Sequence, residues 1–132
     1  MFTRLDHLAI VVADTEEALL VWRDRLGLRV VAQEKVNDGT VLLTHLDLGN
    51  THLQLVQPLV EDHPLWNWLR AHGPGLHHFC LAVEDVDRAA EEAAQRGLPS
   101  GQVKPHQGVG GKRAVFLDPA STAGVRVELT GA

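Results

Sequence analysis

Two apolar segments of the chain, residues 5–12 and 76–83, have the composition and length of buried strands, and each contains a histidine near its start. After each segment an aspartate, Asp14 or Asp85, stands where its side chain can accept a hydrogen bond from the first-turn amides of a helix. Apolar residues then recur with helical spacing until Gly27 in the first case and Gly97 in the second, each suited to a left-handed helix end. The pattern therefore predicts the same strand–helix pair twice.

The two pairs are related by a shift of 71 residues, which indicates that one structural unit has been duplicated. Identical positions at this shift include Leu5/Leu76, His7/His78, Val12/Val83, Asp14/Asp85 and Ala18/Ala89.

Helical periodicity predicts which side chains of each helix are buried. Leu19, Trp22 and Leu26 share one face of the first helix. The corresponding buried residues are Val86, Ala89, Ala90 and Ala93 in the second, and Leu65, Trp66 and Leu69 in a short helix between them.

The remaining chain predicts strands at residues 29–36, 40–48, 52–57, 102–106, 113–117 and 125–130. The order is thus a strand, a helix and three strands, twice over, which is an α+β fold. We expect one domain, residues 1–132, with a first unit over about 1–60, a linker helix at about 62–72 and a second unit over about 75–132. A unit of about 60 residues buries too little surface to be stable alone, so the two units are expected to pack together.

Composition excludes several classes of protein. The chain is 45% apolar, yet its longest apolar run is the six residues 8–13, whereas a membrane-spanning helix needs about 20. The net charge is −5 and the basic residues are scattered, which argues against nucleic-acid binding. No signal peptide is expected, since the first residues lead directly into a strand pattern. The single cysteine, Cys80, excludes an internal disulfide and fits the cytoplasm.

Four polar side chains are expected to point from four strands into one cavity. His7 and His78 start the faces that carry small residues, while Gln54 and Glu128 occupy corresponding places in later strands of the two units. Burying such groups without partners would cost about 1–3 kcal/mol each. One divalent metal ion would satisfy all four at once.

The residue types restrict the metal. Two imidazoles, a carboxylate and an amide oxygen suit cobalt, nickel, manganese, iron or zinc in the divalent state. These ligand types do not select one of the five metals. A single strand histidine such as His7 is usually an ordinary core or surface residue. The repeated placement of His7 and His78, together with Gln54 and Glu128, is what favours a metal site.

Other chemically capable residues are assigned other roles. His77 faces the opposite side of its strand from His78, and Cys80 is expected to line the cavity without acting as a nucleophile. The glycine-rich segment 108–111 is a weak phosphate loop because a strand follows it. Four histidines without repeat partners are expected at the surface: His45, His52, His63 and His72.

The chain resembles the vicinal oxygen chelate superfamily, which includes glyoxalases, bleomycin resistance proteins and dioxygenases, and within it the methylmalonyl-CoA epimerases. The resemblance covers nearly the whole sequence. It is carried by the segments LDHLAI (5–10), LGNTHLQL (48–55), GLHH (75–78), GVGGKRAVFLDP (108–119) and STAGVRVEL (121–129).

This resemblance implies a glyoxalase-like half-barrel with the metal in its cavity, held by His7, Gln54, His78 and Glu128. It implies an epimerase that interconverts (R)- and (S)-methylmalonyl-CoA by proton transfer through a metal-stabilised enolate, with Glu128 as a catalytic residue. It also points to a homodimer.

Lys112 and Arg113 are either contacts for the CoA phosphates or an ordinary solvated pair. Some family members carry a second glutamate as a base where this chain has Leu42, so the second proton-transfer group is not assigned.

Three other activities are compatible with this kind of fold. A glyoxalase I-like lactoylglutathione lyase would use the same metal set and the same enolate chemistry. An extradiol dioxygenase would use two histidines and a glutamate on iron, but the chain is short for that class. A ligand-binding or resistance protein would need no metal, so the four candidate ligands argue against it.

Overall fold

The computed structural model describes residues 2–102 and 104–132. Within these residues the chain forms eight strands and three α-helices. They are β1 (Phe2–Val11), α1 (Thr15–Leu19), β2 (Arg29–Val36), β3 (Val41–Asp47), β4 (His52–Pro58), α2 (Leu65–His72), β5 (Gly75–Val83), α3 (Val86–Gln95), β6 (His106–Gln107), β7 (Arg113–Phe116) and β8 (Val127–Gly131). The predicted order, a strand, a helix and three strands occurring twice around a linking helix, is confirmed, and so is the α+β class.

The described residues form two compact units. One, here the continuous unit, is Leu8–His77; the other, the discontinuous unit, combines the residues up to His7 with His78–Ala132. These units do not coincide with the sequence repeats, since the first residues of β1 belong with the second repeat. The domain boundaries expected from the sequence stay a prediction.

In the continuous unit, strands β2, β3 and β4 form an antiparallel sheet. The last residues of β1 lie beside β4, and the backbone N–H of Val12 donates to the carbonyl of Val56 at 2.9 Å. Leu46 of β3 is opposite Leu53 of β4, and both face the apolar core. That core consists of Ile10, Val12, Leu19, Leu46, Leu53 and Leu55.

Helix α1 begins with the expected aspartate cap but ends in a π-helical turn. The side chain of Asp14 accepts a hydrogen bond from the backbone N–H of Glu17 at 3.1 Å, as the sequence predicts. After Leu19 the chain continues as a π-helical turn, Leu20–Arg25. A π-helix has more residues per turn than an α-helix, so a residue seven positions after Leu19 no longer returns to the same face. The predicted burial of Leu26 is therefore wrong: this side chain is 60% exposed.

In the discontinuous unit the strand order is β1, β5, β8, β7, β6. Strand β8 pairs parallel to β5 and antiparallel to β7. Helix α3 is capped by Asp85, whose side chain accepts from the backbone N–H of Arg88 at 3.0 Å. The core between α3 and the strands contains Val83, Val86, Ala89, Ala93, Val115, Leu117, Val127 and Leu129.

Strand β6 is shorter than the predicted strand at residues 102–106, of which Val103 lies outside the described residues. The side-chain oxygen of Gln102 accepts the backbone N–H of Phe116 at 2.9 Å. The backbone N–H of Phe116 is thereby paired with a side chain and not with the backbone of a neighbouring strand. In the part of the chain that the structure describes, no helix has the length and apolar character needed to cross a membrane.

Candidate metal centre

Three of the predicted site residues come together in the discontinuous unit. His7 lies on β1, His78 on β5 and Glu128 on β8. The Nε2 atoms of His7 and His78 each lie 3.3 Å from the same carboxylate oxygen, Oε1 of Glu128. The three side chains are only 4%, 7% and 8% exposed, so this polar cluster is buried.

The geometry of the cluster fits a divalent metal ion. All three potential ligand atoms lie within 4.8 Å of one another. A metal with bonds of about 2.1 Å holds neighbouring ligand atoms about 3.0–3.4 Å apart in tetrahedral or octahedral geometry. The two nitrogen–oxygen distances of 3.3 Å fall in that range. Two imidazoles and one carboxylate are also donors that suit first-row divalent metals.

The ring of His7 is oriented by its neighbour in sequence. Its Nδ1 lies 2.8 Å from Oδ1 of Asp6. Because a carboxylate only accepts, Nδ1 carries the proton and donates it to Asp6, which directs Nε2 toward Glu128. This is the arrangement by which carboxylates orient metal-binding histidines. Burial alone would lower the pKa of His7, but the hydrogen bond to Asp6 and the adjacent carboxylate of Glu128 raise it above its ordinary value.

Glu128 is the centre of the cluster and is held ionised. Burial alone would raise the pKa of its carboxyl group, but the hydrogen bond from His106 and the neighbouring imidazoles of His7 and His78 hold that pKa well below its ordinary value. The His106 contact is the shortest, with Nε2 2.7 Å from Oε2 of Glu128. His106 was not identified as a site residue from the sequence, since it has no histidine partner in the repeat and stands at the very end of the predicted strand 102–106.

Gln54 lies in the continuous unit, on β4, and is buried, with 4% exposure. Its neighbour across the sheet is His45 of β3, and the side-chain Nε2 atoms of the two residues are 3.5 Å apart. His45 is 3% exposed, so its predicted surface position is wrong. The reason is the strand register, which places His45 on the same face as Gln54.

The other histidines lie mostly where the sequence places them. His52 and His72 are exposed and His63 is half-buried. His77 packs the edge of its ring against Trp68, with 5.1 Å between ring centroids.

Comparison with known proteins identifies the family of the chain. A family model described as Glyoxalase/Bleomycin resistance protein/Dioxygenase superfamily matches residues 6–116. The chain is 38% identical over 133 residues to an ethylmalonyl-CoA/methylmalonyl-CoA epimerase of Cereibacter sphaeroides, with 98% of each chain covered. The chain belongs to the methylmalonyl-CoA epimerase family. The resemblance found in the sequence is thereby confirmed.

Solved structures of epimerases share the fold. A methylmalonyl-CoA epimerase from Mycobacterium tuberculosis matches with a TM-score of 0.90 and 28% identity, covering 98% of this chain and 88% of that one. A Streptomyces coelicolor methylmalonyl-CoA epimerase variant in complex with 2-nitronate-propionyl-CoA matches with a TM-score of 0.89 and 29% identity, covering 100% and 99%. The predicted glyoxalase-like fold is confirmed.

The position of Leu42 in β3 determines which way a second base at this site of the chain would point. Leu42 is opposite Gln57 in the β3–β4 register, and the side-chain oxygen of Gln57 accepts the backbone N–H of Thr15 at 2.9 Å. Successive residues of a strand point to opposite faces, so Leu42 faces the α1 side and Gln54 the other. A base at position 42 would point away from Gln54.

Cys80 and Arg113 are both engaged in ways that limit their chemistry. Burial and the neighbouring carboxylates of Glu128 and Asp6 raise the pKa of the Cys80 thiol, so it stays protonated. Arg113 forms a two-pronged ion pair with Asp87, both nitrogen–oxygen distances being 2.8 Å. This pairing supports the interpretation of Arg113 as a surface residue.

Proposed function

We propose that the protein interconverts (R)- and (S)-methylmalonyl-CoA by removing and returning the α-proton at a divalent metal centre. The observation that carries this proposal is the convergence of His7, His78 and Glu128 on one buried point. Membership of the epimerase family supplies the substrate class, an acyl-CoA thioester, which agrees with the CoA ligand named for a structural relative.

His7, Gln54, His78 and Glu128 are our proposed metal ligands. The first three offer neutral donors and Glu128 offers a charged oxygen, a set that suits cobalt, manganese, nickel, zinc or iron. When bound, such an ion acts as a Lewis acid that stabilises the negative charge formed on the thioester oxygen. The burial of Gln54 and its contact with His45 support the amide oxygen as a metal ligand in a fixed orientation.

We assign the proton transfer on one face of the substrate to Glu128. Its carboxylate is ionised, because the surrounding imidazoles hold its pKa low, and a carboxylate is the group able to accept a carbon-bound proton here. The second acid–base group stays unassigned. The face of β3 that carries His45 is the favoured location for it, since Leu42 faces the other way.

The metal assignment is tested by the metal content of the His7→Ala/His78→Ala double variant. We expect it to lose its bound metal, because two of the proposed ligands are removed. A His63→Ala/His72→Ala double variant, which removes two histidines outside the cluster, should keep the wild-type metal content. A full equivalent of metal on the His7→Ala/His78→Ala protein would show that the ion is held elsewhere.

The reaction is tested by deuterium exchange. Racemic methylmalonyl-CoA in deuterated water, with protein and cobalt(II), should take up one deuterium at the α-carbon, as read by mass spectrometry. The glutathione adduct of methylglyoxal serves as the competing substrate. Isomerisation of that adduct without exchange of methylmalonyl-CoA would assign the protein to the lactoylglutathione lyases instead.

We also propose a homodimer in the cytoplasm. A small sheet with open edges gains stability by pairing with a second copy, and the single cysteine fits a reducing compartment. Sedimentation at micromolar concentration should give the mass of a dimer, and a monomer alone would contradict the proposal.

A further inference from the structure

His106 makes the shortest contact of the Glu128 carboxylate. Its Nε2 lies 2.7 Å from Oε2 of Glu128, whereas His7 and His78 face the other oxygen, Oε1, at 3.3 Å. The two carboxylate oxygens therefore have separate partners. A distance of 2.7 Å is typical of a charge-assisted hydrogen bond.

His106 is itself fixed in place from two sides. Its Nδ1 lies 3.0 Å from the side-chain oxygen of Gln102, and that oxygen also accepts the backbone N–H of Phe116 at 2.9 Å. The contact with the Phe116 N–H identifies this atom as the amide oxygen, which only accepts hydrogen bonds. Nδ1 of His106 therefore donates to it as a second donor. The imidazole also stacks on the ring of Phe116, with 5.4 Å between centroids and 18° between planes.

Phe116 links this arrangement to a second candidate ligand. Its ring meets the ring of His78 edge-on, with 4.9 Å between centroids. The same phenylalanine therefore supports His106 on one side and His78 on the other. A glutamate side chain has three rotatable bonds, and an anchor on Oε2 stops the carboxylate from turning Oε1 away from the histidines.

We propose that His106 is a positioning residue that anchors Oε2 of Glu128 and so presents Oε1, together with His7 and His78, to the metal ion. This rests on the metal centre of the proposed function. Hydrogen-bond partners that orient metal ligands typically change metal affinity by about 10–100-fold when removed. His106 acts through Glu128 and is not itself a ligand in this role.

Cobalt(II) binding to the purified protein without substrate tests the role. The His106→Phe variant keeps a ring that stacks on Phe116 but removes the donor, and should bind cobalt about 10–100-fold more weakly, with a changed visible spectrum. The His106→Gln variant keeps a side-chain N–H near the position of Nε2 and should recover most of the affinity. His72→Phe, an exposed histidine of α2, is the matched control and should bind as the wild type does.

The outcomes separate this inference from the proposed function. If the wild-type protein takes up cobalt and His106→Phe binds it with unchanged affinity and spectrum, the role of His106 is wrong while the metal centre stands. If the wild-type protein takes up no cobalt, the metal centre and the role of His106 are both wrong. Weak binding by His106→Phe with recovery by His106→Gln supports a hydrogen bond, since a loss of packing alone would not be restored by glutamine.

Discussion

His45 and Gln54 face each other across strands β3 and β4, with their side-chain Nε2 atoms 3.5 Å apart in a buried environment. An amide nitrogen only donates, so the imidazole nitrogen of His45 is the acceptor in this contact. With the amide nitrogen of Gln54 facing His45, the amide oxygen points away from His45. Oxygen is the amide atom that binds divalent metals, so His45 selects the useful orientation of the proposed ligand.

Replacing His45 with leucine should weaken metal binding. Leucine fills much of the same volume but cannot accept from the amide, so the two orientations of the Gln54 amide become closer in energy. We expect about a tenfold loss of cobalt affinity, the lower end of the effect of such supporting partners. Isothermal titration of cobalt(II) into the metal-free protein measures it.

His52→Leu provides the matched control for this prediction. His52 is exposed on the same hairpin, with its ring 5.9 Å from that of His45. Unchanged affinity in His52→Leu and reduced affinity in His45→Leu would locate the effect at the amide. Equal affinity in His45→Leu and the wild type would contradict it.

The repeat in the sequence predicted that His7 and His78 share a face, because both stand at the start of equivalent strands, and the structure places both side chains next to Glu128. The surface prediction for His45 failed because only the repeat was used to choose among the histidines. The register was accessible: the tight turn after β3 has Leu48 N–H donating to the Thr51 carbonyl at 3.0 Å. Counting back from that turn places His45 opposite Gln54.

Two other differences between the sequence predictions and the structure, at His106 and Leu26, have physical causes that strand and helix patterns do not reveal. His106 lies on a two-residue strand, directly before the glycine-rich segment 108–111, and so short a strand shows no alternation of apolar and polar residues. Its contact with Glu128 depends on long-range pairing of β6, β7 and β8. Leu26 lost its predicted burial because a π-helical turn changed the helical spacing, and spacing of apolar residues alone does not distinguish the two helices.

His63 should make the stability of the protein depend on pH. Its Nδ1 accepts the backbone N–H of Leu65 at 3.1 Å, at the start of α2. Burial lowers the pKa of His63 below 6.5, although Asp62 partly opposes this. The unfolded chain then binds more protons, so stability is complete above about pH 6.5 and falls as the pH drops toward the folded-state pKa.

Urea unfolding of the wild type and His63→Asn at pH 7.5 and 5.5 measures this contribution. Asparagine can accept from the same N–H and does not titrate, so the variant should lose less stability between the two pH values. Comparing the pair removes the effect of every other titrating group. Asn67→Ala, a change on the same helix without a titrating group, should keep the wild-type pH dependence. A His63→Asn protein that loses as much stability as the wild type would contradict the assignment.

Gly131, at the end of β8, is required by the close approach of β5. A methyl group at this position would collide with the backbone carbonyl of Val83, and a carbonyl within a strand cannot move aside as a flexible side chain can. Gly131→Ala should therefore destabilise the protein by about 1–3 kcal/mol, the usual effect of overpacking. Gly75→Ala is the control, because its added methyl would only touch the Trp68 ring at 4.0 Å. Thermal and urea unfolding of both variants test the difference, and equal stability of the two would show that β8 shifts without cost.

Glu128→Gln tests the chemical proposal most directly. Glutamine keeps the shape of the side chain and can still face His7, His78 and His106, but it lacks the charge and nearly all the basicity of the carboxylate. At a cobalt(II) concentration that saturates the variant, we expect α-proton exchange of methylmalonyl-CoA to slow by about 10²–10⁴-fold, the usual loss when a general base is removed. Metal content is measured on the same sample, so that weaker metal binding is separated from loss of the base.

Glu91→Gln, an exposed change on α3, should exchange at the wild-type rate. Exchange at the wild-type rate by metal-loaded Glu128→Gln would place the base on another residue, and the face of β3 that carries His45 would be the first place to look for it.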